Sequence, residues 1–296
     1  MLKTFNFFSI PLIPKNMLNK KINFSFEFFP PKDIFGKKKL LKIIKELEKI
    51  KPIFFSITHS VKSLSYFNTD QIIFFLLNNT KIPIIPHLTY INFKKAEIQN
   101  IAKKYLKYGI KSVLALRGDL QENQKNSNVY SIDLIKILKE IGDFKIFVAA
   151  YPEIHPESSN MLEDLENLKK KKNMGANTAI TQFFFSIEKF LFFKKQCLLH
   201  NVSLKIIPGI LPILSFQQLL RFKNLTNVFI PPNIFKGFLK YQDNSKKFKE
   251  YSINFTVNLI LKLFLHGVTD FHIYTLNRID FFKKIFLYLQ KIFLKI

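Results

Sequence analysis

The chain has 296 residues, of which 48% are hydrophobic and 23% are charged. This composition supports a large buried core and excludes an intrinsically disordered chain. Its single cysteine, Cys197, excludes an internal disulfide framework and a cysteine-rich zinc site, and it fits a reducing cytoplasm. The 46 Lys and Arg residues against 21 Asp and Glu residues give a net charge of +25, which raises the question of an anionic partner.

The positive charge is spread along the whole chain. Lysines recur through helical stretches such as 37–51 and 169–172, and exposed aromatic residues do not alternate with them. We therefore interpret the lysines as solvated helix faces and predict no nucleic-acid partner. Lysines also interrupt every apolar run before it reaches the ~18 residues of a membrane span. We predict no membrane partner, although a C-terminal amphipathic helix on a membrane surface is an alternative.

Eight short apolar runs alternate with longer helical patterns, which is typical of repeated strand–helix units. The predicted strands are 22–28, 53–57, 82–87, 112–116, 146–150, 178–184, 204–208 and 270–274. The predicted helices include 37–50, 93–108, 131–141, 160–174, 187–200 and a last one from Arg278.

This order predicts an α/β fold, a single-domain (β/α)8 TIM barrel over residues 21–296 after an N-terminal extension of residues 1–20. An open doubly wound sheet is the structural alternative. The stretch 224–249 is the expected insertion, because Pro231, Pro232 and Gly237 interrupt it.

Polar residues stand at the ends of six successive predicted strands. In a barrel the carboxyl ends of the strands meet at one mouth, so the series predicts a functional site there. Any one member alone would serve equally well as a loop or capping residue. The series consists of Glu27, Thr58, His87, Arg117 with Gly118 and Asp119, Tyr151 with Glu153 and His155, and Gln182.

Two of these positions suggest chemistry. Glu27 lies between phenylalanines in SFEFFPP, and apolar neighbours are expected to raise its pKa toward neutrality and make it a proton donor. Arg117 offers planar charge for a phosphate, and Gly118 permits close backbone approach to a ligand. A simple ion-paired turn would explain Arg117 and Asp119 equally.

Other enzyme classes stay open at this point. Glu27 and Asp119 could form the carboxyl pair of a glycoside hydrolase, and a basic binding protein without catalysis is a further alternative. The six histidines show no metal-site spacing, so we predict no metal.

Eight segments together resemble the methylenetetrahydrofolate reductase family in its short bacterial form. The resemblance implies reduction of 5,10-methylenetetrahydrofolate to 5-methyltetrahydrofolate, with FAD as cofactor and NADH or NADPH as hydride donor. It further implies ping-pong hydride transfer, a role in methionine synthesis, a cytoplasmic location and a homo-oligomer. The segments, in the order of the family, are SFEFFPPK, PHLTYI, ALRGDL, VAAYPEIHPES, DLENLKKK, GANTAITQFFF, IIPGILPI and DFHIYTLNR.

The resemblance also implies roles for single residues. Glu27 and Asp119 would be catalytic, with Glu27 protonating N10 of the folate and Thr58 on the nicotinamide side. The cofactor would be bound by Thr58, His59, Val61, His87, Arg117, Gly118, Asp119, Ser131, Tyr151, His155, Ser158, Asp164, Asn167, Lys170 and Lys171. The folate would be bound by Asp119, Gln182, Gln218, Phe222 and Arg278.

A few of these positions depart from the family pattern. His59, Ser60 and Val61 replace an aromatic and small residues beside the flavin, Ser186 stands where Asp is usual, and Ser131 replaces a common Ala.

Salt dependence of nucleic-acid binding tests the interpretation of the charge. We expect affinity for duplex DNA or RNA to be weak and to fall by several orders of magnitude between about 50 and about 200 mM salt. A fluorescence anisotropy titration at several salt concentrations measures it. Tight binding that persists near physiological salt would instead support the basic binding protein.

Overall fold

The computed structural model describes residues 8–9, 11–17, 19–59, 69–91, 93–118, 129–226 and 228–294. Two predicted site residues, Val61 and Asp119, lie outside these ranges. Within them the strands are β1 (Asn23–Phe28), β2 (Phe55–Ile57), β3 (Ile84–Thr89), β4 (Ser112–Leu116), β5 (Lys145–Ala150), β6 (Ala176–Thr181), β7 (Lys205–Ile207), β8 (Gly209–Ile210) and β9 (Asp270–Tyr274).

Helices separate most of the strands, as the sequence predicts. After a short 3-10 helix at Lys15–Met17, they are α1 (Ile34–Glu48), α2 (Thr69–Leu77), α3 (Lys95–Lys107), α4 (Ser131–Ile141), α5 (Met161–Asn173), α6 (Ile187–Leu199), α7 (Phe216–Thr226), α8 (Pro232–Lys240), α9 (Ser245–Leu265) and α10 (Asp280–Leu294). In the described part of the chain, no helix is both long and apolar enough to cross a membrane.

The strands form one parallel sheet in the order β7-β6-β5-β4-β3-β2-β1-β9-β8. Only Pro208 separates β7 from β8, and β7 pairs with β6 whereas β8 pairs with β9. This interrupted strand therefore joins the two ends of the sheet into a nearly closed barrel, which confirms the predicted (β/α)8 fold. The predicted strand 204–208 corresponds to β7, whereas β8 after Pro208 was not predicted; Pro208 itself has no N–H for the ladder.

Side chains of β1 alternate between the helix layer and the barrel interior, as the period of two requires. Phe24 and Phe26 belong to the large core beneath the helices, where their rings contact Phe282 of α10 at 5.1 and 4.7 Å. Ser25 and Glu27 consequently point the other way, into the barrel.

The barrel interior has an apolar side and a polar side. Its apolar cluster includes Phe54 and Phe147, whose rings lie 5.3 Å apart although their strands are not neighbours in the sheet. The remaining members of that cluster are Ile85, Leu114, Ile180 and Ile207. Near β1 and β9 the interior is polar, with Ser25, Ser56 and His272 all fully buried.

The segment 224–249, predicted as an insertion, contains all of α8 and the start of α9. Helix α9 is buried along most of its length. Its Tyr251 and Phe255 pack on Phe8, and Asn258 donates a hydrogen bond to the carbonyl of Ser9. Phe8 and Ser9 of the predicted N-terminal extension therefore pack against the barrel. The boundary of that extension at residue 20 stays a prediction.

Gly209 lies where β6, β8 and β9 meet. Its N–H donates to Thr181 Oγ1 at 3.0 Å, and the Tyr274 hydroxyl crosses it to donate to Thr181 O at 2.7 Å. A Cβ at residue 209 would lie 2.2 Å from Thr181 O and 2.5 Å from Tyr274 Cε2. The closing strand therefore has no room for a side chain at this point.

Gly209→Ala tests this closure. We expect it to lower the free energy of unfolding by about 3 kcal/mol, because a backbone carbonyl and a packed ring would both have to move. The control is Gly267→Ala, where a Cβ meets nothing within 4 Å and the cost of its φ of +80° alone is about 1 kcal/mol. Urea denaturation measures both; equal losses would show that the junction is not tightly packed.

Candidate active site

Glu27 stands at the carboxyl end of β1, in register with Ser56 of β2 and Tyr274 of β9. Its side chain is 16% exposed. Its Oε2 atom lies 3.5 Å from His87 Nε2 and 3.7 Å from His272 Nε2. The acid predicted from the sequence therefore lies between two imidazoles.

The expected direction of the Glu27 pKa is wrong for the ligand-free protein. Burial acts to raise this pKa, but contact with the His272 ring and the positive charges of His87 and His272 outweigh burial and lower it from 4.5. The sequence argument failed because Phe26 and Phe28 point to the helix layer, so imidazoles and not phenyl rings surround the carboxyl.

His87 is almost fully buried on β3. Burial lowers its pKa to about 4 against the raising effect of Glu27, so the ring is uncharged at neutral pH. Among the described residues its Nε2 atom has no hydrogen-bond partner, since the contact with Glu27 lacks suitable geometry. A buried nitrogen without a partner at a barrel mouth indicates a position for a ligand atom.

His272 is a member of the site that the strand-end argument missed. It is fully buried in the middle of β9, and its Nδ1 atom lies 2.8 Å from Ser25 Oγ. The signal in the sequence was a histidine at a position of the apolar strand DFHIY whose side chain faces the barrel interior. Reading only the strand ends overlooked it.

The opposite part of the mouth carries positive charge. Arg117 follows β4 and makes two hydrogen bonds to Glu157, at 2.5 and 2.7 Å, a pairing that the sequence did not suggest. Gly118 has a φ of +96°, and a Cβ there would lie 2.7 Å from Ile91 Cγ2. Gly118 is thus required by the backbone conformation and by the close contact together.

Lys171 of α5 reaches inward to β5, where its Nζ donates to Ala149 O at 3.4 Å. Burial lowers its pKa to about 8, with Asp164 acting to raise it and Arg117 acting to lower it. An amine in this position gains from a nearby anion, because the anion offsets the cost of burying its charge.

Asp164 holds the loop after β5. It accepts hydrogen bonds from the backbone N–H of His155 at 2.7 Å and from the hydroxyl of Ser158. The His155 ring meets Tyr151 edge-on, with centroids 4.5 Å apart. The structure thus brings three predicted cofactor residues of this loop together with a fourth, Asp164 of α5.

The other predicted cofactor residues vary in exposure. Asn167 is half-buried on α5, Lys170 is exposed, and Ser131 begins α4 half-buried. Thr58 is half-buried directly after β2, and its N–H donates to Phe28 O at 2.9 Å.

Two of the described departures from the family pattern have local explanations. His59 Nδ1 lies 3.3 Å from Thr89 Oγ1, and its ring packs edge-on against Phe93 at 5.2 Å. Ser186 caps α6, since its Oγ accepts a hydrogen bond from Lys189 N at 3.2 Å. Serine and aspartate are both favoured at this helix position, so Ser186 preserves the cap.

The predicted folate residues lie along β6 and α7. The Gln182 side chain accepts a hydrogen bond from Phe183 N at 3.1 Å, and Gln218 accepts one from Leu214 N at 2.6 Å. Phe222 packs edge-on against Phe183, with centroids 5.4 Å apart. These side chains line one side of the mouth.

Arg278 is exposed after a turn that follows β9. Leu276 and Asn277 both have left-handed φ values, 50° and 57°. The Asn277 side chain accepts from Phe29 N at 2.9 Å and donates to Phe29 O at 3.0 Å, and Arg278 N donates to Thr275 O at 2.8 Å. The loop after β9 is thereby attached to the loop after β1.

The opposite end of the barrel holds a cavity of ≈ 290 Å³, lined in part by Lys205 and Asp270. These residues begin β7 and β9 and form an ion pair at 2.5 Å. Because catalytic groups of such barrels lie at the carboxyl ends of the strands, we assign this cavity no role in the reaction. Among the described residues, no group of three or more His, Cys, Asp or Glu is placed to hold a metal ion.

Comparison with known proteins agrees with this arrangement. The family model described as methylenetetrahydrofolate reductase matches residues 12–290. The chain belongs to this family. It is similar to the 5,10-methylenetetrahydrofolate reductase of Buchnera aphidicola subsp. Schizaphis graminum, with 44% identity over 263 residues, covering 89% of this chain and 90% of the relative.

The enzyme of the same name from Escherichia coli K12 is 41% identical over 260 residues, covering 88% of each chain. A solved structure, an uncharacterized Clostridium thermocellum protein that binds two copies of 5-methyl-5,6,7,8-tetrahydrofolic acid, aligns with a TM-score of 0.61. Its sequence identity is 17%, with 94% of this chain and 98% of that chain covered, so it shows the fold alone.

Lys171→Met tests the cost of the buried amine. Below about pH 8 the amine is charged in the folded and the unfolded protein, and burial of the charge destabilises the fold; this cost disappears as pH rises from about 8 to 10.5. We expect the ligand-free variant to be more stable than the parent at pH 7, with a smaller advantage near pH 10. Urea denaturation at both pH values measures this, and exposed Lys170→Met is the control. No pH dependence of the difference would contradict the buried charge.

Proposed function

We propose that the chain reduces 5,10-methylenetetrahydrofolate to 5-methyltetrahydrofolate, with FAD at the barrel mouth and NADH or NADPH as hydride donor. The observation that carries the proposal is the Glu27 carboxyl, held among buried histidines at the mouth of a barrel of this family. The curated relatives named above bear the name of this activity.

The residues present fit FAD. Lys171 and Arg117, the latter paired with Glu157, are two cations near Gly118, where Ile91 leaves no room for a side chain; this combination suits a pyrophosphate. The buried Nε2 of His87 offers a hydrogen-bonding position to a polar ring atom. When bound, FAD supplies hydride transfer between the nicotinamide and the folate. The remaining predicted cofactor contacts stay part of the proposal. They are those of Thr58, His59, Val61, Asp119, Ser131, Tyr151, His155, Ser158, Asp164, Asn167 and Lys170.

Glu27 would deliver a proton to N10 of the folate. Ligands that cover the mouth remove water from the carboxyl, and desolvation favours its protonated form. The low pKa of the ligand-free state is therefore expected to rise when the site is filled.

The folate ring would lie beside Phe222 and Gln182, with Gln218 completing that side of the mouth. Arg278, exposed at the rim, would attract the anionic tail of the substrate. We further propose alternate use of one flavin face by nicotinamide and folate, a cytoplasmic homo-oligomer, and methyl supply for methionine synthesis, all of which follow from the family resemblance. No observation favours the glycoside hydrolase alternative.

Glu27→Gln separates the two half-reactions. We expect reduction of bound flavin by NADH to stay within about threefold of the parent, whereas reoxidation by 5,10-methylenetetrahydrofolate falls by about 100-fold or more, because only the second step needs the acid. Anaerobic stopped-flow absorbance measures both rates. Glu166→Gln, an exposed carboxyl of α5, is the matched control and should change neither. Equal losses in both half-reactions would show that Glu27 is misassigned.

A further inference from the structure

We propose that His272 is a positioning residue that shares a proton with Glu27 and thereby restores the acid between turnovers. This inference rests on the proposed function, because the proton that it concerns is the one delivered to the folate. It concerns a residue that the strand-end series does not contain.

The surroundings of His272 fix the orientation of its ring. The ring stacks on Phe54, with centroids 5.6 Å apart and planes at 25°, and meets Tyr274 edge-on at 5.4 Å. Its side chain has no exposed surface. Rotation of the ring would require both aromatic neighbours to move.

Hydrogen bonds then select the tautomer. The hydroxyl of Ser25 donates to Phe271 O at 3.3 Å, so its oxygen accepts from His272 Nδ1 at 2.8 Å. With the proton of the neutral ring on Nδ1, the lone pair is on Nε2. That atom faces Glu27 Oε2 at 3.7 Å and Ser56 Oγ at 3.5 Å.

These two atoms lie slightly beyond hydrogen-bond distance, so a small movement of the carboxyl lets one proton lie on either Oε2 or Nε2. When Glu27 is protonated, neutral Nε2 accepts from it; when Glu27 is ionised, the protonated imidazole faces a carboxylate. In turnover the Oε2–H bond breaks as N10–H forms, which leaves a carboxylate. A hydronium ion from solvent then returns a proton to the pair at Glu27, whose side chain is the partly exposed member, and His272 Nε2 shares that proton.

Other titratable groups surround Glu27 and His272, but none of those in the described part of the chain takes the role proposed for His272. His87 and His59 lie on the β3 side, and burial lowers the pKa of both rings. Tyr274 and Tyr151 lie on the other sides, and burial with the nearby Glu27 raises the pKa of Tyr274 well above 10, so its hydroxyl stays uncharged. His272 combines an inward Nε2 with a tautomer fixed by Ser25.

A direct test uses ligand-free protein labelled with ¹⁵N histidine. We expect the ring signals of His272 to report a protonated Nδ1 and an Nε2 whose chemical shift depends on the carboxyl of Glu27. Glu27→Gln should remove that coupling, and Ser25→Ala should mix the tautomers. An Nδ1 without a proton, or an Nε2 signal indifferent to Glu27→Gln, would overturn the proposal irrespective of any activity.

The kinetic test uses His272→Gln, which keeps a polar side chain but cannot be protonated, beside His272→Asn, which is too short to reach Glu27. We expect both to slow reoxidation of the flavin by 5,10-methylenetetrahydrofolate by about 10- to 100-fold and to alter its pH profile. Flavin reduction by NADH should stay within about threefold.

A purely structural role would lower both half-reactions together and leave the pH profile unchanged, which would overturn the proposal. If the parent protein itself fails to reduce the folate, the proposed function falls. The labelled-histidine measurement would still decide whether Glu27 and His272 share a proton.

Discussion

The alternation of side chains along β1 and β9 is the constraint on which the rest of the site depends. It places the phenylalanines of β1 under the helices and leaves Ser25, Glu27 and His272 in the barrel, whose interior also holds an apolar cluster. A shift of either strand by one residue would exchange these two sets and bury the acid among the helices. Packing of the outer core and chemistry of the mouth are thus fixed by one register.

The fold could be predicted because repeated strand–helix units give a strong pattern, and six strand ends carry polar residues. The short strand β8 was missed since an apolar run with a final proline resembles an ordinary strand end. The pKa direction of Glu27 was wrong because neighbours in sequence were treated as neighbours in space. The pairing of Arg117 with Glu157 crosses 40 residues and leaves no local signal.

The mouth combines two electrostatic environments. On the β1 and β9 side, buried imidazoles control where a proton resides; on the β4 and β5 side, Arg117 and Lys171 favour negative charge. A site of this kind can bind an anionic ligand on one side and transfer a proton on the other. The family to which the chain belongs gives this division its proposed meaning.

Under the proposed function, the turn after β9 sets the distance between the proton donor and the cation that meets the tail of the substrate. Thr275 Oγ1 donates a hydrogen bond to the carbonyl of Glu27 at 2.6 Å. The Asn277 side chain makes hydrogen bonds to both the N–H and the carbonyl of Phe29, and Arg278 is the next residue in the chain. The separation between the proton donor and the cation at the rim is therefore set by a few short bonds and not by a long flexible loop. Substrates whose charged tail begins at a different distance from N10 would engage only one of the two ends, so molecular length itself becomes a criterion of selection.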